Sequence, residues 1–289
     1  MKSKGAIAKM VTVSGARKGD NVLEIGPGLG VLTEALLATG ASVVSVEKDD
    51  RLIPILQEKF EKEIKSGQLR LIHDDILEFN VSKVPFAISE FMARGTLDTP
   101  DTYKIVANIP YYITGQVIRK FLEAENQPDS MTLLLQKEVA ERIVAKDGKE
   151  SLLSLSVKIF GEPKYIQTVK RGSFEPAPNV DSAIIHIADI SRKNFEGADA
   201  DVDGIFEEKF FKLIHAGFAH KRKQLLPNLA ALYSKEPQNF SATGKKYLVH
   251  DFRGAKIGLA DAFEKLNIPA KVRAEDVPLQ KWLELINNL

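Results

Sequence analysis

One stretch restricts the fold of this chain more than any other. The apolar run Val22-Leu23-Glu24-Ile25 enters three closely spaced glycines, Gly26, Gly28 and Gly30. An apolar helical segment, Val31–Ala38, follows, and then a second apolar strand ending in Glu47. Strand, glycine turn, helix and acid-tipped strand make the βαβ unit with which an open parallel sheet binds a nucleotide at its carboxyl edge. A strand–turn–helix can also carry glycines for the turn alone, so the rest of the chain has to support the reading.

The glycine spacing narrows the ligand. A dinucleotide loop reads G-x-G-x-x-G, whereas here the third glycine comes one residue early, and Pro27 has no N–H to offer a pyrophosphate. Such a loop suits a ligand that needs close backbone approach and a hydrogen-bonded ribose but no phosphate cradle. S-adenosyl-L-methionine answers that description. Gly26 and Gly28 would admit it, and Glu47 would accept hydrogen bonds from the ribose hydroxyls. Glu24 would either orient the glycine loop or meet the ligand's ammonium group. A nicotinamide dehydrogenase would need the third glycine one position later and a hydride-handling residue, and neither is present.

Composition excludes several chemistries. The chain has no cysteine, so a disulfide framework, a thiolate nucleophile and a Cys-ligated zinc are ruled out. This fits a reducing compartment, and a cytoplasmic protein is expected. Of the five histidines, His215 and His220 are five residues apart and do not share a helix face, so no metal is expected. No run approaches the roughly 18 apolar residues of a membrane span, and no membrane partner is expected. Forty basic residues against 39 acidic ones leave a net charge of +1, so any nucleic-acid role must rest on local clustering.

The spacing predicts strands at Asn21–Ile25, Ser42–Glu47, Leu69–Ile72, Lys104–Asn108, Met131–Leu135, Lys164–Arg171 and Ala183–Ala188. Helices are predicted at Val31–Ala38, Arg51–Ile64, Gly115–Ala124, Lys137–Val144 and Leu152–Phe160. Alternation of the two implies an α/β fold, and the last two strands, joined by Phe174-Glu175-Pro176-Ala177-Pro178-Asn179, imply a terminal antiparallel hairpin. This is the Rossmann-like seven-stranded sheet of class I methyltransferases. It is expected over residues 1–190, with a polar linker at 191–204 and a small helical domain of four or five helices over 205–289. Residues 81–102 form a long connection before the fourth strand.

The fourth strand runs into Asn108-Ile109-Pro110-Tyr111-Tyr112, where an open sheet places its ligand. The exocyclic amine of adenine is a poor nucleophile because its lone pair is delocalised into the ring. The Asn108 side-chain oxygen and the Ile109 carbonyl can accept from its two N–H bonds, which draws the nitrogen toward tetrahedral geometry. Pro110 stiffens the turn, and Tyr111 can stack on the base. In-line placement beside an electrophilic sulfonium methyl then needs no strong general base. An Asn-Xaa-Pro turn that merely caps the next helix is the plainer alternative. Asp75, or Asp74 in its place, can accept from the cofactor's adenine. Phe174 either sandwiches an extruded base against Tyr111 or belongs to an ordinary hairpin turn. Between 204 and 225 five Lys/Arg stand against two Glu, with Lys221, Arg222 and Lys223 consecutive at a helix start. They are either a solvated face or phosphate contacts to a folded RNA.

Taken together, Glu24–Gly30, Glu47, Asp75, Asn108–Thr114, Leu135–Arg142, Phe174–Ser182 and Phe218 with Lys221–Lys223 resemble the ribosomal RNA small-subunit adenine N6-dimethyltransferase family over roughly residues 20–225. The resemblance implies transfer of two methyl groups to each of two adjacent adenines in the 3′-terminal hairpin loop of small-subunit rRNA, on an immature small ribosomal subunit. It also implies that Gly26, Glu47, Asp75 and Asn108 contact S-adenosylmethionine, and that Asn108–Tyr111 with Phe174 hold the target base; a monomer is expected. Met1–Ala16 departs from the family in lacking the Gln, Asn/His, Phe and Leu segment that closes over the cofactor's methionine end. Either the chain begins at a wrong or internal start or the pocket is more open, and weak cofactor affinity is expected. Two other readings stand beside this one. Macrolide-resistance methyltransferases share the Asn-Ile-Pro-Tyr motif but act on the large subunit, and Tyr112-Ile113-Thr114 favours the small-subunit branch. A ribosome-assembly factor could keep the fold without turnover.

Overall fold

A computed structural model describes residues 3–80, 102–195, 205–233, 239–240, 247–248 and 252–289. The long connection before the fourth strand lies outside these residues, apart from Thr102, and so does most of the expected linker. Seven strands form one sheet: β1 (Asn21–Ile25), β2 (Ser42–Glu47), β3 (Leu69–His73), β4 (Lys104–Asn108), β5 (Ser130–Gln136), β6 (Glu162–Val169) and β7 (Ser182–Ala188). Their order is β3-β2-β1-β4-β5-β7-β6. The first five are parallel, and β7 pairs antiparallel with both β5 and β6. The class I methyltransferase sheet expected from the sequence is present.

Strands buried on both faces read as continuous apolar runs rather than alternating ones, and every residue of β1 is buried. One face packs Val22, Val43, Val106, Leu134 and Ile184 against helices α1 (Lys4–Ser14), α2 (Val31–Leu37) and α3 (Leu52–Lys59). The intervening residues Leu23, Ile25, Val44, Val46 and Ile105 fill the opposite face and are equally buried. Helix α5 (Thr114–Leu122) buries Thr114, Val117, Ile118, Phe121 and Leu122, a stripe at helical spacing.

Two local features differ from expectation. Helix α1 was not foreseen, although Ser3 caps it by accepting from the Ala6 N–H at 3.2 Å, and Gly15 ends it in the left-handed conformation (φ 61°). Its residues Ala6, Ile7 and Met10 lie in the sheet's core, so its apolar face is held by packing. The single helix expected over 51–64 is broken at Phe60 (φ −113°, ψ 27°) into α3 and α4 (Glu61–Ser66). The break turns the Phe60 ring onto Gly30. Pro227 sits in the first turn of a helix, where no intrahelical N–H bond is lost.

Two compact units divide the chain. One comprises Met1–Val144 and Phe160–Ser191, the other Ala145–Ile159 and Arg192–Leu289. The short helix α7 (Leu152–Lys158), read from sequence as part of the sheet domain, is thus grouped with the C-terminal helices. Helix α6 (Lys137–Ile143) stays with the sheet. The described part of the second unit adds α8 (Ile205–Gly217), α9 (Leu225–Tyr233), α10 (Phe252–Lys265) and α11 (Leu279–Ile286). Trp282 is fully buried there, its indole N–H donating to the Val277 carbonyl at 3.0 Å. Gly217 admits it: a Cβ at this position would lie 2.4 Å from the Trp282 ring.

Candidate active site

Because β3, β2, β1 and β4 are parallel neighbours, their carboxyl ends bring four loops to one edge. That edge holds a cavity of about 280 Å³, lined among others by Gly26, Glu47, Lys48, Asp75, Pro110 and Tyr112. Of the residues singled out from sequence, Gly26, Glu47, Asp75 and Pro110 meet in its wall; Ile109 and Tyr111 are chain neighbours of wall residues, and Gly28 and Asn108 lie two residues from Gly26 and Pro110.

The three glycines do different work. Gly26 and Gly28 have φ of +66° and +59°, and a Cβ on either would meet nothing within 4 Å. They leave open space beside the cavity. Gly30 (φ +73°) is a packing residue instead, since its Cβ would sit 2.4 Å from the Phe60 ring and 3.0 Å from Leu56. Gly30→Ala is therefore expected to cost about 2 kcal/mol, from the left-handed backbone and the overlap together. A urea unfolding midpoint equal to the wild type would contradict this.

The carboxylates are held by the backbone around them. Glu47, nearly buried at the tip of β2, accepts from the Gly28 N–H at 3.1 Å on Oε2 and from the N–H groups of Lys48 and Asp49 at 2.9 Å on Oε1. It locks the glycine loop to β2 while facing the cavity. Asp75 takes the Lys48 ammonium at 2.7 Å on Oδ2 and the Leu77 N–H at 2.9 Å on Oδ1. The Lys48 hydrogen bond, followed by that of Leu77, holds the Asp75 carboxyl below its ordinary range. Asp74, the alternative, turns its Oδ1 to the Asp75 N–H at 2.8 Å and also lines the cavity.

Glu24 lies behind the loop rather than in the cavity wall. It is 1% exposed, and its Oε2 accepts from the hydroxyls of Thr33 and Ser45, each at 2.7 Å. Its Oε1 is buried without a hydrogen-bond partner among the described residues. Burial pushes this carboxyl up to about 7, against the lowering effect of the two hydroxyls. The bonds tie α2 to β2 across β1, so of the two roles read from sequence the geometry favours orienting the loop over meeting a ligand.

At the end of β4 the Asn108 side chain is half-buried and makes no hydrogen bond among the described residues. The Ile109 N–H continues the sheet by donating to the Leu134 carbonyl at 3.1 Å. Pro110 leads into a single 3₁₀ turn, Tyr111–Ile113. The Tyr111 hydroxyl is 2.7 Å from the Ser182 hydroxyl at the start of β7. Phe174, in the loop before β7, is half-buried against the core that contains Val169 and Ile184. Tyr112 was not assigned from sequence, yet it is 83% exposed at the cavity wall. Lys48 was missed as well; its position directly after Glu47 was the available signal.

In the second unit Lys221, Arg222 and Lys223 occupy the turn between α8 and α9, not a helix start. The chain turns there because the Asn228 side-chain amide donates to the carbonyls of Gly217 at 2.7 Å and His220 at 3.3 Å. All three cations are exposed, and none has an ion-pair partner among the described residues. Phe218 stacks on Trp282 with ring centroids 6.1 Å apart.

Comparison with known proteins decides the family. Residues 1–256 match the family described as ribosomal RNA adenine dimethylase. The chain belongs to that family. It is similar to the ribosomal RNA small subunit methyltransferase A of Dehalococcoides mccartyi strain BAV1, 43% identical over 79% of this chain and 71% of the relative. The protein of the same name from Fusobacterium nucleatum is 35% identical over 96% of this chain and 89% of that one. Among solved structures, a dimethyladenosine transferase from Plasmodium falciparum superposes with a TM-score of 0.74 at 25% identity, covering 99% and 95% of the two chains. The 23S rRNA methyltransferase ErmE gives 0.69 at 22% identity, covering 100% of this chain and 98% of that one, a likeness of fold.

Membership makes the chain an S-adenosylmethionine-dependent rRNA adenine dimethyltransferase. The site fits that cofactor on its own geometry: two positive-φ glycines with open space where side chains would be, and a buried carboxylate facing the cavity beside them.

Proposed function

We propose that this enzyme dimethylates N6 of two adjacent adenines in the 3′-terminal hairpin loop of small-subunit rRNA, acting on an immature small subunit in the cytoplasm. The observation that carries the reading is Asn108, whose side-chain amide has no hydrogen-bond partner among the described residues and stands at the end of β4, two residues before Pro110 in the cavity wall. A half-buried amide with no partner among the described residues is available to a ligand.

Gly26, Gly28, Glu47 and Asp75 would hold the cofactor, which when bound supplies an electrophilic methyl on a sulfonium. Glu47 offers carboxylate lone pairs to ribose hydroxyls, and its three backbone N–H bonds keep it from turning away. Asp75, kept ionised by Lys48, accepts from an adenine amine. The Asn108 Oδ1 and the Ile109 carbonyl accept from the two N–H bonds of the target amine, localising its lone pair. Tyr111 and Phe174 stack on the extruded base, which fixes its plane. Pro110 and Ile113 contribute apolar surface to the cavity wall. No side chain has to take a proton before the new N–C bond forms. The amine becomes acidic once it is alkylated, and its proton can then leave to solvent.

The test is transfer of labelled methyl groups to small subunits lacking these modifications, with the modified positions mapped by primer extension. Two adjacent adenines near the 3′ end are expected. Labelling of large-subunit rRNA instead would favour the macrolide-resistance type, and binding without transfer would favour an assembly factor.

The unpaired cations Lys221, Arg222 and Lys223 serve as phosphate contacts in this reading. Replacing all three with alanine is expected to weaken subunit binding and to flatten the slope of log K against log salt by about 2. Filter binding across a salt series measures this; an unchanged slope would assign the cluster to solvent.

A further inference from the structure

The start of β7 touches both halves of the proposed base-binding site. Ser182 is fully buried, and its hydroxyl pairs with the Tyr111 phenol at 2.7 Å. Its chain neighbour Asp181 closes the loop that carries Phe174. One carboxylate oxygen accepts from the Arg171 N–H at 2.9 Å, and the other takes the Lys170 ammonium at 3.0 Å. The Asp181 carbonyl in turn accepts from the Lys137 N–H at 3.0 Å, which ties the loop's far end to the start of α6. Inside the clasp, the N–H groups of Ser173 and Phe174 donate to the carbonyls of Lys170 and Arg171. The Arg171 N–H and then Lys170 hold the Asp181 carboxyl below its ordinary range, so the clasp persists through neutral pH.

We infer that Asp181 and Ser182 are positioning residues for the target base: Asp181 clasps the Phe174 loop while Ser182 holds the Tyr111 ring. This rests on the proposed reading of Tyr111 and Phe174 as the base-holding aromatics. The physical reason is rotational. A half-buried phenol held only by its ring contacts can rock about χ1, and a loop with three prolines and glycines among twelve residues is stiff only if its ends are joined. Ser182, the first residue of β7, and Asp181, the loop residue just before it, meet both needs, and so couple the two aromatics to the start of one strand.

The experiment compares Ser182→Ala, Tyr111→Phe, the double variant and Asp181→Asn, using unmethylated small subunits. Removing either hydroxyl is expected to lower kcat about tenfold, with KM for subunits nearly unchanged. The double variant should be no worse than either single one, because both remove the same bond. Asp181→Asn should also lower kcat, by a similar factor, while S-adenosylhomocysteine binding by calorimetry stays at the wild-type value. Additive losses in the double variant would overturn the inference, as would lower melting temperatures with unaltered kcat. Tyr111→Ala and Phe174→Ala separate the two ideas. If these lower transfer but Ser182→Ala and Asp181→Asn do not, the clasp is wrong and the base site stands. If neither alanine variant affects transfer, the base-site reading itself fails.

Discussion

Replacing Asn108 with alanine is expected to lower methyl transfer by about 100- to 1,000-fold, the loss typical when one preorganised polar group at a reacting centre is removed. The side chain sits at the last residue of β4, so its position is set by a strand hydrogen-bonded on both sides, to β1 and to β5. It makes no bond within the described protein, so truncation leaves no other protein group unpaired. The effect should therefore appear in chemistry rather than in folding. Single-turnover transfer should collapse, while small-subunit binding and the unfolding midpoint remain near wild type. Asn108→Asp tests the same point differently, since a carboxylate keeps the acceptor but places a charge beside the amine. Full transfer by the alanine variant would remove the basis of the mechanism.

The second large effect concerns stability and pH. Glu24 has its carboxyl raised from an ordinary 4.5 to about 7 by burial within the sheet's apolar layer. The folded protein thus binds this proton more tightly than the unfolded chain does. The associated stabilisation is complete below about pH 4.5 and is lost as pH rises to about 7, above which the curve is flat in this group. A shift of that size corresponds to about 3 kcal/mol. Glu24→Gln keeps an oxygen for the Thr33 and Ser45 hydroxyls and carries no charge. Relative to wild type it should gain stability progressively from pH 5 to pH 8. Urea unfolding at those two pH values measures the difference, and a constant gap between the two proteins would refute the assignment.

The sheet was legible in sequence because buried parallel strands announce themselves as unbroken apolar runs, and the glycine loop announces which strand comes first. Asn108 stands out in sequence because it is a polar residue ending an apolar strand, and the structure places it at the carboxyl end of β4. What escaped was decided by tertiary packing. Helix α1 is weakly patterned and earns its place through Ala6, Ile7 and Met10 in the core. The break at Phe60 depends on Gly30, thirty residues earlier, which no local periodicity reports. Lys48 and Tyr112 are exposed residues beside obvious ones, and only the fold shows that their side chains line the same cavity. Glu24 stands out in sequence as an acid inside an apolar strand, but its partners Thr33 and Ser45 lie on different elements and only the fold brings them to it.

The strand order has a consequence for synthesis. β6 is made before β7 but pairs with no other strand, and β7 must slot between it and β5. A nascent chain therefore displays an open β5 edge until residues 182–188 emerge, a template for mispairing. Tyr111, translated some seventy residues earlier, gains its hydroxyl partner only at that moment. The half-made protein thus has its glycine loop long before the support for its stacking ring, and truncation short of Ser182 should leave an aggregation-prone fragment rather than a smaller enzyme.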